Sequence, residues 1–328
     1  MSAVALPLLA LVAAGLWFRL PGATHSGPLP PLTASQSARA AELAADVNRL
    51  AGELGERHVW NPEARAHLSA AWEWIDRAFE RAGYPQRRRE PVPTGTPHPA
   101  WNLWVELPGR EPGAGLVVVG AHYDSALETP GADDNASGVA ALLAVARLRA
   151  GRPGRYDLRL VAFVNEEPPF FGTERMGSRV HARGCTERGE RVVAMLSLEC
   201  LGRFSDEPGS QRYPDGVGWL FPDRGDFVGF VGDLSSRALL RRAVGAFREG
   251  VDFPSVGAAL PAGIPGVGWS DHASFWAEGV PALMVTDTAL FRDEQYHRPG
   301  DLPERLDYER LSRVVDGLDA VLDELLDG

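Results

Sequence analysis

Apolar positions along the chain follow two rhythms. From about Thr33 to Gly83 the spacing is helical: Leu43, Val47, Leu50 and Leu54 share one face, then Leu68, Trp72, Ile75 and Phe79 share another. Gly83 stands where a helix C-terminal cap belongs. Short apolar runs then read as strands: Trp101 to Leu107, Leu116 to Ala121, Leu158 to Val164, Val192 to Leu198 and Pro281 to Val285. Between the second and third, Ser137 to Arg149 reads as a helix with Val139, Leu142, Leu143 and Ala146 on one face. Strands alternating with helices predict an α/β layer architecture around a largely parallel sheet. From Glu207 to Gly268 the pattern weakens among many Gly and Pro residues. Loops and one helix, Leu239 to Phe247, are expected there, close to whatever the protein binds.

The N-terminus has a different pattern. Ser2 to Phe18 is uncharged and mostly apolar, and Arg19 ends it. The run is short for the roughly 20 residues that span a bilayer, and it fits a signal-peptide apolar region or a short anchor. A Pro/Gly-rich linker reaches Pro31. Residues 1–32 are thus expected to be a signal or anchor segment with its linker, and 33–328 a single domain. Within that domain 33–84 form N-terminal helices and 85–328 the main core. The segment predicts a chain that is exported or attached to a membrane and works outside the cytoplasm.

Composition narrows the possibilities. A chain of 328 residues that is 45% hydrophobic can bury a full core. Its net charge of -11 and pI near 5.3 exclude nucleic acid and anionic membrane surfaces as electrostatic partners. Cys185 and Cys200 are too few and too irregularly placed to form a zinc ribbon or a disulfide framework.

Acidic residues occupy places where they are costly. Asn165-Glu166-Glu167 closes the apolar strand that ends at Val164, and two carboxylates there need something positive nearby. His122-Tyr-Asp124 also follows an apolar strand, and Glu199 follows Leu198. Ligands of open α/β sheets bind at that carboxyl edge. Asp134 lies just before a helix N-terminus, which favours an acid. Each motif alone has an ordinary meaning; Asp133-Asp134-Asn135, for example, is a common turn and N-cap. Together, His122, Asp134, Glu167, Glu199 and His297 give two imidazoles and three carboxylates, a donor set that suits zinc, with cobalt or manganese as substitutes. Three carboxylates and a hydroxide balance two divalent ions better than one, with Asp134 as the bridge. Asp124 is then placed to accept the second N–H of His122, and Glu166 is left to move protons.

These residues carry a family resemblance. His122-x-Asp124, Gly131-Ala-Asp-Asp134-Asn-Ala-Ser-Gly138, Asn165-Glu-Glu167, Ser197-Leu-Glu199, Ser270-Asp-His-Ala-Ser-Phe275 and Tyr296-His297-x-Pro-x-Asp301 resemble the co-catalytic zinc aminopeptidases. That family includes the bacterial leucyl aminopeptidases, glutamate carboxypeptidase II and the glutaminyl cyclases. The resemblance implies a three-layer α/β/α sandwich with a mixed, mostly parallel sheet. It implies two zinc ions per chain, one on His122 and Glu199, the other on Glu167 and His297, with Asp134 between them. It implies Glu166 as general acid/base, Asp124 orienting His122, and hydrolysis of N-terminal peptide bonds by a hydroxide held between the metals. The substrates would be peptides with a free N-terminus. Alternatives on the same fold are a single-zinc glutaminyl cyclase and a carboxypeptidase or other amidohydrolase. Glu199 replaces the Asp of the most familiar members, and the segment from Glu167 to Ser178 is longer than theirs. Phe170, Phe171 and Tyr296 are expected at the substrate pocket, and Ser270-Asp271-His272 behind the ligands rather than as a triad.

Overall fold

The computed structural model describes residues 20–215 and 218–328, so the apolar run Ser2 to Phe18 lies outside the described residues. Among the described residues no helix is long and apolar enough to cross a membrane. The chain opens with α1 (Ala34–Val47), whose Thr33 cap and Gln36 exchange side-chain and backbone hydrogen bonds at 3.2 and 2.9 Å. Wider turns continue it through Asn48–Leu54. Asn61 then caps α2 (Pro62–Arg81), with Pro62 at the first helical position.

Eight strands form one sheet: β1 (Arg87–Val92), β2 (Ala100–Leu107), β3 (Leu116–His122), β4 (Asp157–Phe163), β5 (Val192–Glu199), β6 (Val228–Gly232), β7 (Ser255–Ala259) and β8 (Ala282–Thr286). Their order is β1-β2-β4-β3-β5-β8-β6-β7. The four central strands β4, β3, β5 and β8 are parallel to one another, whereas β2 runs antiparallel to β4, and β6 antiparallel to β8. The sheet is therefore mixed, with a parallel centre.

Helices cover both faces, and the strands show why. In β3, Val117, Val119 and Ala121 join the larger core, and Leu116 and Val118 the smaller one; β4 divides in the same way. Strands buried on both faces lose polar alternation and read as continuous apolar runs. The larger core packs under α1, α2, α3 (Gly138–Arg149), α5 (Arg237–Gly250) and α8 (Tyr308–Asp327); the smaller lies under α4 (Gly177–Glu187) and α6 (His272–Trp276). A one-turn helix, α7 (Ala289–Arg292), follows β8.

Three strands were not foreseen. β1 carries Arg87, Arg88 and Arg89 on an open edge, so it lacks an apolar run, and its Pro91 is tolerated for the same reason. β6 and β7 fall in the weakly patterned region, with Gly229, Gly232 and Gly257 diluting them. The helix expected over Leu239 to Phe247 is present within α5.

The strand order creates the crevice. From β3 the chain moves to β4 on one side, then returns across β3 to β5 on the other. Their carboxyl ends therefore diverge at the point where open α/β sheets bind ligands. His122 ends β3 and Glu199 ends β5. Close packing fixes the level of these ends: Gly120 faces Phe163, and a Cβ there would lie 2.2 Å from the ring. Gly120→Ala is expected to lower stability by about 1–3 kcal/mol through overpacking, seen as a reduced urea midpoint with an unchanged slope. An unchanged midpoint would show that the Phe163 ring can move aside.

Candidate metal centre

Six residues from five separate segments converge at the carboxyl edge. His122 and Glu199 come from the ends of β3 and β5, and Glu166 and Glu167 from the turn after β4. Asp134 lies in the tight turns Ala132–Ser137 that lead into α3, and His297 in the loop before α8. Asn165, Cys200 and His297 all have left-handed backbones, with φ of 59°, 51° and 55°. Non-glycine residues there are uncommon, and they gather where a chain is forced to turn at a site.

Hydrogen bonds tie these turns together. The Asp301 carboxylate accepts the backbone N–H groups of Asp133 at 2.8 Å and Asp134 at 3.1 Å. Asn135 donates to the Leu198 carbonyl at 2.8 Å and accepts from Cys200 N–H at 3.1 Å, fastening the Asp134 turn to the end of β5.

The result is two triads that share one residue: His122, Asp134 and Glu199, and Asp134, Glu167 and His297. His122 Nε2 lies 3.2 Å from Asp134 Oδ1 and 3.4 Å from Glu199 Oε1. His297 Nε2 lies 3.0 Å from Asp134 Oδ2 and 3.3 Å from Glu167 Oε2. The two oxygens of Asp134 thus face different triads. Donors 2.0–2.2 Å from a tetrahedral zinc ion stand roughly 3.4 Å from one another, close to these separations. Asp134 Oδ1 and Glu167 Oε1 are buried without a hydrogen-bond partner, an unfavourable state that a cation relieves. The donor set therefore fits a divalent metal at each triad.

Electrostatics point the same way. Burial and the charge of Asp134 push Glu167 up to about 7 despite His297. Burial disfavours a charged His297, yet the facing carboxylates of Asp134 and Glu167 outweigh it and hold the ring at about 10. Burial likewise opposes charge on His122, but Glu199, Glu166, Asp124 and Asp134 keep it well above its ordinary value. Glu166 belongs to neither triad; its Oε2 is 3.9 Å from His122 Nε2. Burial, reinforced by Glu199, Glu167 and Asp271, holds its carboxyl well above the usual range against the pull of His122.

Residues 102–322 match the model of peptidase family M28. The chain belongs to that family. An uncharacterized protein of Escherichia coli, YfbL, is 40% identical over 267 residues, covering 78% of this chain and 80% of that one. The Bacillus subtilis aminopeptidase YwaD is 27% identical over 212 residues; the match spans 64% of this chain and 41% of YwaD. The structure of a zinc aminopeptidase from Bacillus subtilis superposes with a TM-score of 0.68 at 16% identity, over 88% of this chain and 95% of that one. The three-layer fold and hydrolysis of peptide bonds by a metallopeptidase follow from membership of family M28.

Within this M28 domain, some expected contacts differ. Asp124 faces His122 Nδ1 at 3.6 Å, too long for a hydrogen bond. Its carboxylate instead accepts the N–H groups of Glu166 at 3.3 Å and Glu167 at 3.1 Å, joining the ends of β3 and β4. Ser270 supports Glu199, donating to Oε2 at 2.6 Å. His272 is turned away: its Nε2 meets the Val267 carbonyl at 2.8 Å, and burial lowers it to about 4. Cys185 and Cys200 are both buried and unpaired. Tyr296 stacks on His297 with centroids 4.0 Å apart and lines a large apolar cavity. Phe170 lines a smaller recess beside Glu167, whereas half-buried Phe171 lines neither.

Arg57 gave no sequence signal, being a single arginine between two helices. It is fully buried, and its guanidinium donates to the carbonyls of Tyr123, Leu50, Gly55, Pro130 and Gly131 at 2.6–3.2 Å. Burial lowers it to about 10, and the charges of Asp124, Asp301, Asp134 and Glu167 oppose that fall. It therefore remains cationic at neutral pH and pins the turns that carry His122 and Asp134. Arg57→Met is expected to lose at least about 3 kcal/mol by leaving buried carbonyls unpaired, with Arg57→Lys recovering part. Chemical denaturation of the three proteins measures this, and a Met variant as stable as wild type would contradict it.

Proposed function

We propose that this chain is a two-zinc aminopeptidase that removes apolar N-terminal residues. The observation that carries the proposal is the pair of triads sharing Asp134, each of which offers one imidazole and two carboxylates at zinc-like spacing. In this reading His122 and Glu199 would hold one ion and Glu167 and His297 the other, with Asp134 shared by the two triads. When bound, the ions supply Lewis acidity, making water nucleophilic near neutral pH and drawing electrons from the scissile carbonyl.

The protein's own groups do the remaining work. Glu166, buried beside both triads but outside them, accepts a proton from the attacking water and returns it to the departing amine. Asp124 holds the N–H groups of Glu166 and Glu167, which keeps the two side chains on separate tasks. The large cavity, about 920 Å³ including its mouth, opens from Glu199 and Tyr296 and is walled by Phe221, Phe227, Phe230, Met284 and Phe291. Such walls favour a leucine- or phenylalanine-sized side chain on the first residue and disfavour a charged one.

Amides of leucine, phenylalanine, glutamate and lysine, with acetyl-leucinamide and a glutaminyl peptide, test the reading. Leucinamide and phenylalaninamide are expected to turn over fastest, the acetylated amide not at all. Glu166→Gln is expected to keep its metal content and lose about 10²–10⁴-fold in kcat. Cyclisation of the glutaminyl peptide with no hydrolysis of leucinamide would establish the cyclase alternative. Loss of metal from Glu166→Gln equal to its loss of turnover would make Glu166 a ligand.

A further inference from the structure

The smaller recess beside Glu167 has features that the proposed reaction does not yet use. It is shallow, about 220 Å³ with the open solvent at its mouth included; its floor is Asp124, Asn165 and Glu167, and its rim includes Trp60, Leu127 and Phe170. Trp60 and Leu127 are 43% and 54% exposed, two of only five large apolar side chains so exposed among the described residues. Two such side chains on the rim of one recess beside Glu167 form a surface that gains by being covered.

The rim is held in place. Trp60 stacks on Phe170, centroids 5.2 Å apart and planes 17° from parallel. Its backbone N–H donates to His58 Nδ1 at 3.2 Å, and His58 Nε2 meets Glu56 Oε1 at 2.7 Å. The same oxygen accepts the Glu128 N–H at 2.5 Å. Glu56 therefore ties the segment carrying Trp60 to the loop carrying Leu127, so the two side chains need no ordering when something binds between them. In the floor, Asn165 Nδ2 is buried without a hydrogen-bond partner.

The placement also suits an extended peptide. Successive side chains of an extended chain point to opposite sides. The large cavity adjoins the metal triads at Glu199, and the recess adjoins them at Glu167. A first side chain in the cavity therefore sends the second toward Trp60 and Leu127.

We propose that Trp60, Leu127 and Phe170, with Asn165 beneath them, form a subsite for an aromatic or branched aliphatic side chain on the substrate's second residue. The inference rests on the aminopeptidase reading.

Steady-state kinetics on Leu-Phe, Leu-Gly and leucinamide test it in the metal-loaded wild type, Trp60→Ala, Trp60→Phe and Leu127→Ala. The wild type is expected to prefer Leu-Phe to Leu-Gly in kcat/KM. Trp60→Ala is expected to shrink that ratio about tenfold, the usual scale for an apolar contact. Trp60→Phe should retain most of it, and Leu127→Ala should fall between. A ratio unchanged in both alanine variants would overturn the subsite. Equal proportional losses on all three substrates would overturn it as well, by reducing Trp60 to a support for Phe170. A wild type inactive on all three substrates would sink the aminopeptidase reading and this inference together.

Discussion

Buried negative charge is the constraint on which this structure depends. Asp134, Glu166, Glu167 and Glu199 are all buried at one edge of the sheet. Their mutual repulsion and desolvation would expel them to solvent unless cations compensated. Arg57 supplies part of that charge from behind, through backbone carbonyls rather than by direct pairing. The remaining deficit is a demand for metal ions. Turns that hold the carboxylates in place, including three left-handed residues, add strain that this demand offsets.

The fold meets the constraint through topology. A parallel centre in which β3 lies between β4 and β5 brings three strand ends to one place. The apolar content of those strands, buried on both faces, gives the edge its rigidity. Strands β6, β7 and β8 with their flanking loops build the cavity, and loops build the recess, so the side chains beside the centre come largely from other parts of the chain than the strands that end in its acids. The apolar cavity meets the centre at Glu199, and the aromatic rim meets it at Glu167.

Legibility in the sequence followed the same division. The central strands were readable because two-sided burial makes them continuous apolar runs, and the acids that end them were conspicuous for that reason. His122, Asp134, Glu167, Glu199 and His297, named from sequence, lie together in space. Less readable were elements whose stability comes from neighbours: β1, an arginine-rich edge, and β6 and β7, built partly from glycine and alanine. Asp124 shows a finer limit. Its position two residues after His122 suggested a bond to the imidazole, whereas the backbone turn after β4 supplies closer donors. Arg57 and Trp60 sit on a connection between helices, and only tertiary structure reveals what each one faces.

Metal stoichiometry tests the central claim most directly. Elemental analysis of the zinc-loaded protein should give two equivalents per chain, falling to about one in His297→Ala, which breaks a single triad, and close to none in Asp134→Ala, which breaks both. One equivalent in the wild type, or a second one that survives loss of Asp134, would contradict two sites joined through a shared carboxylate.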